Sequence, residues 1–139
     1  MTLNFGKYAI IDPVVYHFKE EPDWWWKIKP ADSGAELAMS KFLMHDRVFI
    51  RPDGTRVDQV PTNLEIAIQE IALTFGGTNI PQDPQARVED GGDPIIPVGT
   101  TAEQIKAVLV QMPHAMLMEI WDAVGEANPE WGPSKGSKK

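Results

Sequence analysis

Three histidines, His17, His45 and His114, are the side chains of this chain most able to do acid–base or metal chemistry near neutral pH. A metal site needs such residues at short, repeated spacing. None of the three stands three or four residues from another, and none has an acid at a known ligand spacing. There is no cysteine, which removes thiolate nucleophiles, thiolate metal sites and disulfides together. No serine sits in a Gly-x-Ser-x-Gly elbow, and no glycine-rich loop carries the Lys-Ser/Thr that would hold phosphate. The acidic stretch Glu89-Asp90 to Asp93 lacks the ligand register of a calcium loop. Spacing alone does not reveal a carboxylate pair for glycoside chemistry. The expectation is a protein without catalytic residues, cofactor or metal, and not an enzyme.

What remains is recognition chemistry. Trp24-Trp25-Trp26-Lys27-Ile28-Lys29 reads as a strand, with Trp24, Trp26 and Ile28 on one face and Trp25, Lys27 and Lys29 on the other. Five tryptophans in a small domain serve as core, as interface or as a sugar platform, because each ring covers a large area. Met112, Met116 and Met118 cluster where two helices should join, with Met39 and Met44 on an earlier helix. Unbranched, polarizable methionine fills gaps in a core, or lines a groove that accepts another protein's apolar segment. The residues assigned to such a surface are Trp25, Met112, Met116, Met118 and Trp131.

The elements that must position these groups follow from local pattern. Tyr8–Ile11 and Val14–Phe18 are strand candidates, split by Asp12-Pro13. Ser33 with Glu36, Thr62 with Glu65, and Thr100 with Glu103 have the form of capping boxes. Between Val48-Phe49-Ile50 and Arg56–Val60, Pro52-Asp53-Gly54 predicts a hairpin turn. Leu64, Ala67, Ile68, Ile71, Ala72 and Phe75 recur at helical spacing, and Gly76-Gly77 should stop that helix. Pro113 suits the start of a last helix and Asn128-Pro129 its end. The expected fold is α+β, mainly α: short N-terminal strands and a hairpin, then a bundle of about four helices. Strands fall within about 7–29 and 47–60, and helices over about 34–45, 63–75, 101–112 and 114–127, in a single domain over 1–131. The Pro-, Gly- and acid-rich stretch 76–99 is expected to be a long mobile loop, and 132–139 a disordered basic tail.

With 139 residues, 42% of them apolar, the chain is long enough for one domain with a real core. The net charge of −7 disfavours nucleic acid as a partner. Acidic proteins can imitate DNA, but here the carboxylates are spread along the chain and interrupted by tryptophans. No apolar run approaches the roughly 20 residues needed to span a bilayer. Met1-Thr2-Leu3-Asn4-Phe5 lacks the pattern of a signal peptide, so a cytosolic location and no membrane partner are expected.

The order of parts resembles the tail assembly chaperones of long-tailed bacteriophages. A Trp-Lys-Ile-Lys strand leads into the Gly34-Ala35-Glu36-Leu37 helix. An apolar helix follows over Leu64–Phe75, then an irregular stretch with Ile95-Ile96-Pro97-Val98, a Thr-x-x-Glu helix and a final helix. The likeness covers roughly residues 22–128, with Thr74-Phe75-Gly76 where the family usually has a Trp-Asn-like helix end. The resemblance implies a non-enzymatic chaperone that binds tape-measure and tail-tube proteins in the cytoplasm of the bacterial host and is absent from the finished virion. Self-association through its helical surface is a further expectation. Two other readings stay open: a structural or connector protein retained in the virion, and an acidic inhibitor of a host protein.

Overall fold

The computed structural model describes residues 12–44, 48–58, 61–82, 93–97 and 99–133. The strand candidate Tyr8–Ile11, His45, the acids Glu89 and Asp90, and the lysines at 135, 138 and 139 lie outside them. The fold is α+β with helix predominating. Strands β1 (Val14–His17) and β2 (Trp25–Ile28) pair antiparallel, with Val14 opposite Ile28 and His17 opposite Trp25. Alternation along β2 turns Trp26 and Ile28 inward, where both are fully buried. Each such side chain contributes about 1.5–3 kcal/mol or more by leaving water.

Helix α1 (Ser33–Met44) buries Ala35 and Met39. Its cap is Asp32, whose Oδ1 accepts from the Ala35 N–H at 2.8 Å. This corrects the expected Ser33–Glu36 box. Ser33 is already inside the helix, so the first non-helical side chain does the capping and Glu36 is left for another partner. The hairpin of β3 (Val48–Ile50) and β4 (Arg56–Asp58) turns through Pro52-Asp53-Gly54. Gly54 takes φ +86°, and Asp53 Oδ1 accepts from the Thr55 N–H at 2.8 Å.

Helix α2 (Asn63–Leu73) begins with the reciprocal Thr62–Glu65 box, the two bonds being 3.2 and 3.1 Å. It stops before Phe75. Thr74 returns its N–H and hydroxyl to the Glu70 carbonyl, at 3.1 and 2.7 Å. The chain then enters β5 (Phe75–Thr78), which pairs antiparallel with the other side of β2. The expected helix over 63–75 is therefore two residues too long. Phe75 fits the helical stripe by spacing, but its ring packs edge-on against Trp26, 4.9 Å between centroids. The register slips by one between Lys27 and Ile28, and Gly76 is the extra residue of this bulge. A Cβ on Gly76 would sit 3.2 Å from the Lys27 carbonyl oxygen.

The expected loop over 76–99 is likewise corrected where it is described. Gly76–Thr78 belong to β5, Pro81 and Pro94 bridge, and Ile80 and Ile96 are buried in the core. Helix α3 (Ala102–Leu109) is shorter than expected and is capped by Thr101 with Gln104 rather than Thr100 with Glu103. Thr100 instead donates its hydroxyl to the Pro97 carbonyl at 2.6 Å. Helix α4 (His114–Ala127) follows Pro113.

The core lies where α2 packs on α3 and α4 and the three-stranded sheet packs on α4. Ile71, Leu109, Ile120 and Val124 meet Trp26 and Ile28 there. After α4 the chain folds back. Asn128 Oδ1 accepts from the Ala31 N–H at 2.8 Å, and the buried Gly132 donates its N–H to Glu70 Oε1 at 2.8 Å. No helix among the described residues is long and apolar enough to cross a membrane.

Candidate functional site

The turn between α3 and α4 forms one wall of a largely apolar groove. Gln111 and Met112 donate their N–H groups back to Val108 and Leu109, at 3.0 and 3.1 Å, which tightens the end of α3. Pro113 then starts α4, so Met112 in the turn and Met116 on the first turn of α4 stand side by side. The facing wall comes from the Pro81–Pro94 bridge, held by the Ile95 N–H to the Ile80 carbonyl at 2.6 Å. Trp24, just before β2, closes one side. Among the described residues the space between these walls is about 580 Å³, in the range of ordinary ligand sites. Ile80, Ile95, Val108, Met112, Met116 and Trp24 supply apolar surface, and Gln82 and Gln111 supply the polar margin. Trp24, Met112 and Met116 are half-buried, so each still presents surface.

Of the five residues assigned to a binding surface, the structure brings two together here, Met112 and Met116. Met118 is half-buried against the core and does not line the groove. Trp25 lies on the outer face of the sheet. Its ring spreads over Gly77, and the Lys27 ammonium sits 5.8 Å from its centroid. Trp131 is corrected from surface to core. It is 4% exposed, and its indole N–H donates to Glu36 Oε1 at 3.1 Å. The fold-back after α4 carries it inward, a tertiary event that no local pattern around Asn128-Pro129 announces. Trp24 is the groove residue that alternation placed with the inward face. A strand that starts one residue later, at Trp25, leaves Trp24 at the sheet's end instead.

A second groove, of about 490 Å³, runs between β1 and α4. Tyr16 donates its hydroxyl to Glu119 Oε2 at 2.5 Å, and the Lys19 backbone N–H donates to the same oxygen at 3.0 Å. Burial, then the hydrogen bond and negative charge of Glu119, with a smaller push from Asp122, hold the Tyr16 hydroxyl well above the usual phenol range. In the unfolded chain a tyrosine ionises near pH 10, so this contribution to stability is complete below about pH 10 and falls as pH rises further. Tyr16→Phe is expected to flatten the alkaline fall in the urea midpoint. An identical fall in both proteins would refute the coupling.

His17 Nδ1 lies 3.0 Å from the Pro22 carbonyl oxygen, and His114 is exposed at the start of α4. Among the described residues no three His, Asp or Glu side chains gather as a metal ion would require. In comparisons with known proteins, no family model, no curated protein and no solved structure matches the chain.

Proposed function

We propose that this chain is a non-enzymatic binding protein that shields an apolar helical segment of a partner before assembly, as the tail assembly chaperones of long-tailed phages do. The observation that carries the reading is the groove of Trp24, Met112 and Met116. Thioether side chains repack at little cost around helices of differing sequence, which suits reversible shielding rather than one tight fit. A helix laid in such a groove anchors apolar residues at i, i+3, i+4 and i+7. The chain's net charge of −7 keeps a complex with an apolar partner in solution.

The phage assignment rests on the resemblance in layout, from the Trp-Lys-Ile-Lys strand to the last helix. In that reading the partners are tape-measure and tail-tube proteins, met in the cytoplasm of the infected cell, and nucleic acid is not bound.

The test is co-expression with the tape-measure protein of the same phage. The wild-type chain is expected to keep that protein soluble. The pair Met112→Glu and Met116→Glu should weaken binding roughly tenfold or more with little change in melting temperature, because both side chains are half-buried at a margin. Equal binding by the variant would overturn the groove as the site. Finding the chain as a stoichiometric component of purified virions would overturn the chaperone reading in favour of a retained structural protein.

A further inference from the structure

The segment after α4 makes bonds that shielding an apolar helix does not use. Met116 in the groove and Asn128 at the other end of α4 are twelve residues apart, about 18 Å along the helix. From Asn128 to Gly132 the chain is fixed on two flanks. One flank is the start of α1. Asn128 Oδ1 accepts from the Ala31 N–H at 2.8 Å, and the Trp131 indole N–H donates to Glu36 Oε1 at 3.1 Å. The other flank is α2 and α4. The Gly132 N–H donates to Glu70 Oε1 at 2.8 Å, and the Trp131 carbonyl oxygen would lie 2.9 Å from a Cβ on Gly125. Trp131, itself buried, touches both flanks.

Helix α1 has little else to hold it. It buries two of its twelve residues, Ala35 and Met39, against five of eleven in α2 and six of fourteen in α4. Leu37, Leu43 and Met44 are exposed. Among the described residues, the hairpin that follows α1 pairs only with itself, in a sheet separate from β1-β2-β5. An element with few buried apolar contacts lies at the low end of local stability. We propose that Asn128–Gly132 is a latch, and that latch and α1 open together as one unit while the sheet, α2, α3 and α4 stay folded. The open form displays Ala35, Met39 and Trp131, an apolar surface distinct from the groove of Trp24, Met112 and Met116. The latch does not depend on whether that groove shields a partner.

Three features favour opening of this unit over unfolding of the whole chain. The segment begins at the closing hydrogen bond of α4, Asn128 N–H to the Val124 carbonyl at 2.8 Å, so it swings away without unwinding that helix. Glu70 keeps the Trp121 indole N–H, at 2.7 Å, when Gly132 leaves, so no buried carboxylate is stranded. On the α1 side Glu36 is exposed, and water takes the place of the Trp131 indole there. Bringing the Trp131 ring into water is the main cost, and it keeps the unit closed most of the time.

The experiment is amide hydrogen exchange of the whole chain, read by NMR in low urea. The amides of Met39, Trp131 and Gly132 are expected to share one opening, with a smaller urea dependence than those of Ile71 and Ile120. Ile105→Val removes one carbon from the packing of α3 on α2, which is intact in both forms. It should speed exchange at Ile71 and Ile120 roughly fivefold and leave Met39 and Trp131 unchanged, because it weakens the closed and open forms alike. Gly132→Ala strains the latch where it meets α4. It should therefore speed exchange at Met39 roughly a hundredfold. If Ile105→Val speeds Met39 and Trp131 as much as Ile71, α1 opens only with the whole molecule and the latch is overturned. If Gly132→Ala leaves Met39 at its wild-type rate, α1 moves without the segment, which overturns the latch as well.

Discussion

Glu70→Ala is expected to destabilise the chain by roughly 2–6 kcal/mol, a large share of the 5–15 kcal/mol typical of a domain. Glu70 is 1% exposed, in the middle of α2. Its Oε1 accepts from the Trp121 indole N–H at 2.7 Å and from the Gly132 N–H at 2.8 Å. Truncation strands both donors inside the protein, and each stranded donor costs about 1–3 kcal/mol. It also leaves a cavity between α2 and α4. Glu70→Gln keeps an acceptor oxygen in the same place, so it should cost much less. Urea unfolding followed by tryptophan fluorescence measures both. If the alanine and glutamine variants lose equal stability, the hydrogen bonds to Trp121 and Gly132 are not what holds the fold-back.

Gly132→Ala is the second large effect, expected at about 3 kcal/mol or more. Two costs combine. Gly132 takes φ +89°, where an L side chain is strained by about 1–2 kcal/mol. The added Cβ would also lie 2.4 Å from the Gly125 Cα and 2.9 Å from its N. These are backbone atoms of α4, so neither can swing away as a side-chain tip would. Gly54→Ala separates the two costs, because Gly54 has a similar φ of +86° and nothing within 4 Å of the added carbon. The hairpin variant should lose only the conformational part. If the two variants melt alike, the close approach of the fold-back to α4 carries no energy.

These two sites also mark where sequence reasoning stopped. In the sequence, Glu70 lies in a helix whose apolar stripe includes Ala67, Ile68, Ile71 and Ala72, and helical spacing names no distant partner for it. It is buried because Trp121 and the returning chain cover it from outside α2. Trp131, next to a Gly-Pro pair and a lysine tail, reads as a terminal surface residue. Its indole instead meets the carboxylate that the shifted cap of α1 left available, Glu36. The caps themselves show how fine the local limit is. Asp32-Ser33 and Thr100-Thr101 each offer two adjacent capping side chains, and the entry angle of the chain chooses between them. Phe75 met two valid patterns at once, the i+4 position of a helix and a strand residue beside Gly76-Gly77.

The groove was legible in half. Met112 and Met116 declare themselves by type and by their place at a helix junction. Their facing wall is separated from them in sequence and approaches only because Ile80 and Ile96 are drawn into the core.

The sequence by itself determined the α+β class, the inward face of β2, the Thr62–Glu65 cap, the Pro-Asp-Gly hairpin and the bounds of α4. Each depends on neighbours within about four residues, where periodicity, capping and turn geometry operate. The third strand, the burial of Glu70 and Trp131, and the union of Trp24 with the two methionines were decided by tertiary structure alone. Those outcomes depend on which surfaces, far apart in the chain, leave water together, and burial of that kind carries no local periodicity.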